Sequence, residues 1–434
     1  MTTDDLLARH KAVMPAWMPI YYAEPMEIVS GSGRRVTDAT GRTYLDFFGG
    51  VLTNMIGYDI PEIRDAIERQ VRTGILHTST LYLIRSQVEL AERIARLSGI
   101  PDARVFFTNS GTEANEAALL MATSFRRSNQ ILAVRNSYHG RTYATMGVTG
   151  NRGWSASSLN PLNVAYLHSG DRRRGLLAGL DDEQHIEAAV ADLREILATQ
   201  TMGDVAALIA EPIQGVGGFV HGPDGLFGAY RKVLDEQGAL YISDEVQTGW
   251  GRTGEHFWGY QAHGVTPDLL TFAKGIGNGL ALAGVVGRAE VVDSVPGISF
   301  STFGGNPVST AGGVAVLDYL LEHDLQANAA RTGAILQEAL RPTIGALGIV
   351  GDVRGKGLML GVELVEPGTT NPNAYATNRV FEECRRLGLL VGKGGLYGNV
   401  LRMGPPLTLT GDEAREGAAI LVEALETIDG EVHA

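Results

Sequence analysis

The feature that most limits how this chain can fold is a repeated alternation between short apolar runs and longer amphipathic stretches. Val105-Phe106-Phe107, Ile131-Leu132-Ala133-Val134, Val205 to Ala210 and Ala239 to Ser243 are such runs. Between them, Thr112 to Phe125, Glu183 to Thr199 and Phe227 to Gln237 carry helical spacing. A short run that is apolar at every position suits a strand covered on both faces. Strands joined through helices pair in parallel, because a parallel connection must cross back over the sheet. The pattern therefore predicts an α/β chain, with a large domain built on a mostly parallel sheet and helices on both sides.

The ends of the chain read differently. Residues 26–48 alternate in strand fashion around Asp38-Ala39-Thr40-Gly41, a turn signal, and predict a β-hairpin. Pro61 to Thr73 and Ser86 to Leu97 follow as amphipathic helices. A helix over Ser309 to Glu322 leads into a smaller α/β unit with strands near Gly357 to Glu363 and Val400 to Met403. The division that follows is 1–58 as an N-terminal segment packing with the small domain, 59–309 as the large domain and 310–434 as the small C-terminal domain.

Composition narrows the function classes. The 56 glycines, roughly twice ordinary usage, show no collagen-like period and fit many tight strand–helix turns. A formal charge of −13 argues against nucleic acid, whose phosphates call for a basic footprint. The one basic run, Arg172-Arg173-Arg174, reads as a solvated loop. A single cysteine, Cys384, allows no intrachain disulfide and fits a reducing compartment. Asp4, Asp5 and Arg9 interrupt any secretory leader, and no apolar run approaches the ~18 residues of a membrane span. The expectation is a cytoplasmic protein with no membrane or nucleic-acid partner.

Four polar clusters fall just past strand-like runs, where open parallel sheets place their ligands. Thr108-Asn109-Ser110-Gly111-Thr112-Glu113 opens a helix, so backbone N–H groups and the Ser110 and Thr112 hydroxyls suit an anion such as phosphate. Ser110 and Glu113 have equally the spacing of a helix cap. Tyr138, in Ser137-Tyr138-His139-Gly140, suits stacking on a flat ring or plain packing. Asp244-Glu245-Val246-Gln247 places a carboxylate where it can hold a ring nitrogen protonated, with Gln247 in reach of a ring oxygen. A carboxylate pair at a helix start is the alternative, or a metal site, although no His or Cys accompanies the pair to complete one. Lys274, in Phe272-Ala273-Lys274-Gly275-Ile276-Gly277, ends another apolar run. A lysine that forms a Schiff base and a carboxylate that anchors a pyridinium are how proteins use pyridoxal phosphate.

With these clusters in chain order, the sequence resembles the class III pyridoxal-phosphate aminotransferases of fold type I, over nearly its whole length. The stretch from Leu240 through Asp244-Glu245-Val246-Gln247-Thr248-Gly249 to Gly254, followed by Phe272-Ala273-Lys274-Gly275, carries the likeness. The resemblance implies that Lys274 bears the Schiff base and Asp244 pairs with the pyridine nitrogen. It also implies that Ser110, Gly111 and Thr112 hold the phosphate, that Tyr138 and Val246 cover the two ring faces, and that Gln247 approaches O3′. Thr302 resembles a threonine that reaches the neighbouring subunit's phosphate, which implies a homodimer with shared active sites; a tetramer made of two such dimers is equally compatible with the sequence. Arg402 resembles an arginine that grips an α-carboxylate. Glu211 resembles the glutamate that pairs with it when the substrate has none; a structural salt bridge is the plainer reading. Tyr22 and Tyr82 are candidate pocket walls.

The reaction implied is ping-pong transfer of an amino group from alanine or a β- or ω-amino acid to pyruvate or glyoxylate. Stretches such as Leu45-Asp46-Phe47-Phe48-Gly49-Gly50 look most like the alanine–glyoxylate branch. Gly57-Tyr58-Asp59-Ile60-Pro61 departs from that family's usual Gly-His-x-His-Pro. A decarboxylase, racemase or aminomutase on the same scaffold is the competing reading, and a non-catalytic binding protein a remoter one.

Overall fold

The computed structural model describes residues 3–433. Its centre is a seven-stranded sheet in the order Ala103–Thr108, Ala283–Arg288, Leu269–Phe272, Leu240–Asp244, Ala207–Ala210, Gln130–Val134 and Asn163–Leu167. The last five run parallel, while Ala283–Arg288 is antiparallel to both of its neighbours. Ala103–Thr108, antiparallel to that strand in turn, points the same way as the other five. Ala207–Ala210 and Leu240–Asp244 are buried at every residue, as strands sandwiched between helices must be. The run expected from Val205 becomes a strand only from Ala207, although its first two residues are buried as well.

Helices cover this sheet. Gly111–Arg126 packs against its middle, and Asp182–Thr199 and Leu226–Glu236 lie together beside it. Asp181 begins Asp182–Thr199 with a reciprocal capping box to Gln184. Helix Pro307–Glu322 packs chiefly on Pro61–Arg72 and Arg85–Leu97, and residue 310 lies within it.

Two smaller sheets complete the fold. Val350–Lys356, Met359–Leu364, Val400–Met403 and Gly392–Gly394 form an antiparallel sheet. The N-terminal strands Ile28–Ser32, Arg35–Asp38 and Thr43–Asp46 form another, whose fourth strand, Leu389–Leu390, comes from the C-terminal part of the chain. Tyr58, where the sequence departs from the family's usual motif, donates to Asp46 Oδ2 at 2.6 Å and packs against this sheet.

The basic run is not simply solvated. Arg174 pairs with the buried Glu363, which also accepts from Arg354 Nη1 at 2.6 Å, so this loop ties the central sheet's side of the molecule to the C-terminal sheet. Cys384 is buried in helix Ala374–Leu387, and burial pushes its thiol up, away from reactivity.

Candidate active site

The parallel strands and Ala103–Thr108 all end at one edge of the sheet, and the chain that follows each of them, the edge strand Asn163–Leu167 excepted, supplies a wall of one cavity of about 190 Å³. Ser110, Gly111 and Thr112 follow Ala103–Thr108, Tyr138 and His139 follow Gln130–Val134, and Glu211 follows Ala207–Ala210. Asp244, Val246 and Gln247 follow Leu240–Asp244, and Lys274 follows Leu269–Phe272. Residues spread over more than 160 positions meet because parallel strands share one carboxyl edge.

Helix Gly111–Arg126 points its N-terminus into this cavity. The helix cap is formed, with Ser110 Oγ accepting from Glu113 N at 3.2 Å, and the same segment lines the cavity through Ser110, Gly111 and Thr112. Gly111 keeps a tight corner open. A Cβ there would stand 3.1 Å from Val246 Cγ1 and 3.6 Å from Ala273 Cβ.

Asp244 is fixed from three sides. Its Oδ2 accepts from Asn115 Nδ2 at 2.8 Å and faces His139 Nδ1 at 2.8 Å, while Oδ1 accepts from Val246 N at 3.1 Å. Asn115 is itself held: it donates to the His139 carbonyl at 2.8 Å and accepts from Thr271 Oγ1 at 2.7 Å. With Nδ1 donating to a carboxylate, the His139 ring is fixed in one tautomer, and its buried Nε2 has no partner among the described residues. Asn115 and His139 stand beside motif residues already singled out, yet sequence reasoning missed them. Only the fold brings them onto Asp244.

Lys274 has a left-handed backbone, φ +49, a conformation that costs a non-glycine residue ~1 kcal/mol and is concentrated at functional sites. Its ammonium makes no hydrogen bond or ion pair among the described residues. Burial, followed by the nearby Arg402 charge, pushes its pKa down to about 8. A lysine so tuned is a ready nucleophile near neutrality.

Glu211 and Arg402 form no structural salt bridge. Glu211 Oε1 accepts from Tyr138 N at 2.9 Å and Oε2 from Gly215 N at 2.8 Å, so both oxygens are held by backbone. Burial raises its pKa. Arg402 donates instead to the Lys393 carbonyl at 2.9 Å and the Gly215 carbonyl at 3.0 Å, with its guanidinium 5.2 Å from the Phe48 ring centre and 5.5 Å from that of Phe219. Although only 4% exposed, it has no carboxylate partner among the described residues. The hydrogen bonds that link the two residues run through Gly215.

The candidate walls also shift. Tyr22 stacks on Phe381 with ring centres 4.3 Å apart and planes 9° from parallel, in packing against helix Ala374–Leu387 and away from the cavity. Its neighbour Tyr21 takes the place beside Arg402: its hydroxyl accepts from Lys393 N, and its ring stacks on Phe48. Tyr82 and Thr302 are exposed, outside the cavity of their own chain. Tyr138 lines it as expected, with Trp154 edge-on at 5.5 Å, a contact that nothing in the sequence signalled.

The cavity fits pyridoxal phosphate by observations independent of motif. Gln247 Oε1 is buried with no partner among the described residues, although the side chain borders the cavity. Gly215 leaves that side chain its room, since a Cβ there would lie 2.4 Å from the amide. An unpartnered lysine, a fixed carboxylate and a helix N-terminus face one space, as a phosphorylated pyridine aldehyde demands. Among the described residues no cluster of His, Cys, Asp or Glu suits a metal ion, and no helix is long and apolar enough to cross a membrane.

Comparison with known proteins gives the same answer. The chain is 41% identical over 429 residues to alanine–glyoxylate aminotransferase 2 homolog 2, mitochondrial, of Arabidopsis thaliana, covering 98% of this chain and 87% of that protein. An amine transaminase from an uncultivated Pseudomonas species, solved in its PLP-bound form, superposes with a TM-score of 0.89 at 32% identity, covering 96% of this chain and 99% of that one. A phospholyase from Arthrobacter, solved with phosphoethanolamine, does so with a TM-score of 0.89 at 36% identity, over 98% and 100%. The aminotransferase class-III family model matches residues 21–425, so the chain belongs to that family: it is a pyridoxal-phosphate enzyme that moves amino groups between amino acids and oxo acids.

Proposed function

We propose that this enzyme takes an amino group from alanine or a β- or ω-amino acid and delivers it to pyruvate or glyoxylate. The observation that carries this reading is Arg402, a buried guanidinium whose charge reaches Lys274 from outside the cavity wall, with backbone carbonyls and the Tyr21 hydroxyl for partners and no carboxylate. A buried cation without a counter-charge is costly, and the α-carboxylate of an oxo acid offsets that cost with bidentate hydrogen bonds. Because Glu211 is held by two backbone N–H groups, Arg402 need not be freed from an ion pair before it binds substrate.

The remaining roles follow from position. Ser110, Gly111 and Thr112 hold the phosphate at the helix N-terminus, Tyr138 and Val246 enclose the ring, and Gln247 takes its O3′ as the missing partner. Asp244, kept in place by Asn115 and His139, anchors the ring nitrogen. Bound there, pyridoxal phosphate supplies the electron sink that makes the substrate's α-proton removable. Lys274 holds the cofactor and, once displaced, serves as the base that moves that proton.

The reading includes a homodimer. Ile75, Leu76, Leu81, Tyr82 and Leu83 are exposed apolar residues on one segment, and Ile298, Phe300 and Phe303 on another. His77 and Phe303, with ring centres 4.7 Å apart, join the two segments. Apolar area of this kind facing water supports docking of a second copy, with Thr302 and Tyr82 completing the partner's site. A cytoplasmic, reducing setting is part of the same proposal, supported by the single, buried cysteine; cell fractionation tests it.

The function is tested by incubating purified protein with pyridoxal phosphate, a panel of amino donors and pyruvate, and following alanine. Alanine formation that disappears in Lys274→Ala supports the reading; a Lys274→Ala variant with full turnover overturns it. The structural likeness to a phospholyase favours a second reading, elimination from a phosphorylated amine. Phosphoethanolamine in the same assay separates the two, because elimination releases inorganic phosphate and forms no alanine.

A further inference from the structure

A second buried arginine lies close behind the site and no role in the reaction described so far uses it. Arg252 is 2% exposed, and no carboxylate lies within ion-pairing distance of it among the described residues. Its Nη1 donates to two carbonyls, Leu358 at 3.1 Å and Pro405 at 2.8 Å, while Nη2 is buried without a partner. Its own carbonyl accepts from Leu358 N at 3.0 Å. Gly357 presses on the same turn, where a Cβ would fall 2.5 Å from the Arg252 oxygen.

These contacts join two parts of the active site. Arg252 stands eight residues after Asp244 and five after Gln247, on a segment anchored by buried Glu245, which accepts from Gly259 N at 2.8 Å and Tyr260 N at 2.7 Å. Pro405 lies three residues beyond Arg402, just past strand Val400–Met403. A hydrophobic residue of similar size would fill this space without the desolvation cost of a cation. Burial alone pushes the Arg252 guanidinium down to about 9. Its charge is also one of those that press Lys274 toward the neutral form.

Resting on the proposed use of an oxo acid, we infer that Arg252 is a positioning residue that holds the Arg402 strand in register with the segment carrying Asp244 and Gln247. It touches neither substrate nor cofactor. It sets the distance between the group that grips the carboxylate and the groups that hold the ring, and it contributes positive potential at Lys274.

The test uses the holoenzyme with Arg252→Met and Arg252→Lys. The readouts are KM and kcat for pyruvate, the pH midpoint of the bound cofactor's visible band, and amide exchange over residues 400–405. Methionine removes the charge and both carbonyl contacts. Loss of a charged hydrogen bond corresponds to about a tenfold rise in the KM for pyruvate, with kcat within about threefold of wild type. The band midpoint moves upward, because a neighbouring positive charge favours proton release. Lysine keeps the charge but offers one nitrogen, so KM rises while the midpoint stays at the wild-type value. Exchange over residues 400–405 speeds up in both. An Arg252→Met protein that only melts earlier, with KM and midpoint unmoved, overturns the inference; so does an Arg252→Lys protein of wild-type KM, should the methionine variant fail to fold. A wild-type enzyme that ignores pyruvate and glyoxylate fails the proposed acceptor instead, and the midpoint and exchange readouts still judge Arg252.

Discussion

Replacing Asn115 with alanine removes three hydrogen bonds from the least exposed part of the site. Asn115 is 1% exposed, and its amide joins Asp244 Oδ2 and the His139 carbonyl, each at 2.8 Å, to Thr271 Oγ1 at 2.7 Å. The bond to the carboxylate is charge-assisted and contributes about 1.5–3 kcal/mol, the two neutral ones about 1 kcal/mol each, so the loss is of order 3–5 kcal/mol. That is a large fraction of the roughly 5–15 kcal/mol by which proteins are stable. Asp244 keeps Val246 N and His139, but the latter's carbonyl is left without its donor. Asn115→Asp is the sharper test, since it keeps the shape and sets a second carboxylate 2.8 Å from Asp244 Oδ2. Like charges at that separation repel. Urea unfolding of the apoprotein and titration with pyridoxal phosphate measure both variants. The expected order of stability and of cofactor affinity is wild type, then alanine, then aspartate. An alanine variant within about 0.5 kcal/mol of wild type, with unchanged affinity, refutes the claim that this network fixes Asp244.

Arg402→Lys gives up the planar fork that contacts Lys393 and Gly215, and with it bidentate recognition; kcat/KM for pyruvate and glyoxylate is expected to fall about 10- to 100-fold, and that for donors without an α-carboxylate far less. Equal losses for both classes would count against Arg402 as the acceptor's anchor. Glu363→Gln leaves Arg174 and Arg354 facing a neutral amide at a buried position and is expected to cost about 3 kcal/mol in chemical unfolding. Burial alone would raise the Glu363 carboxyl, yet Arg354 and Arg174 hold it below the usual carboxylate range. Its stabilising contribution is therefore present above the unfolded pKa and lost as pH falls through the folded one, and an acid-induced loss no smaller in Glu363→Gln than in wild type contradicts this. Lys274, lowered from 10.5 to about 8, binds fewer protons folded than unfolded between those values, so the apoprotein gains stability as pH rises through that window. Cofactor uptake by apoprotein should rise with pH about a midpoint near 8, measured by stopped-flow absorbance; a midpoint near 10.5 denies the perturbation.

The sequence by itself determined the chemistry that is local. Lys274 after an apolar run, Asp244 and Gln247 after another, and Ser110-Gly111-Thr112 at a helix start are legible because each group's place depends on one strand end or one helix start beside it. The parallel character of the sheet was legible for the same reason, since fully apolar strands joined by helices leave few alternatives. The tertiary structure decided what depends on approach from a distance. Ala283–Arg288 reads as an apolar run, but nothing in its residues says that it runs against its neighbours. Arg174 in a basic run reads as solvated until Glu363, 189 residues away, is folded against it. Tyr21 and Tyr22 are indistinguishable as letters, and only the stacking of Tyr22 on Phe381 leaves Tyr21 to face Arg402. The plainer reading, a structural Glu211–Arg402 salt bridge, is not met because the Gly215 turn presents an N–H to one and a carbonyl to the other. A motif specifies which groups are present, while backbone geometry specifies which of them are already taken, and in this site the second decides what Arg402 is free to bind.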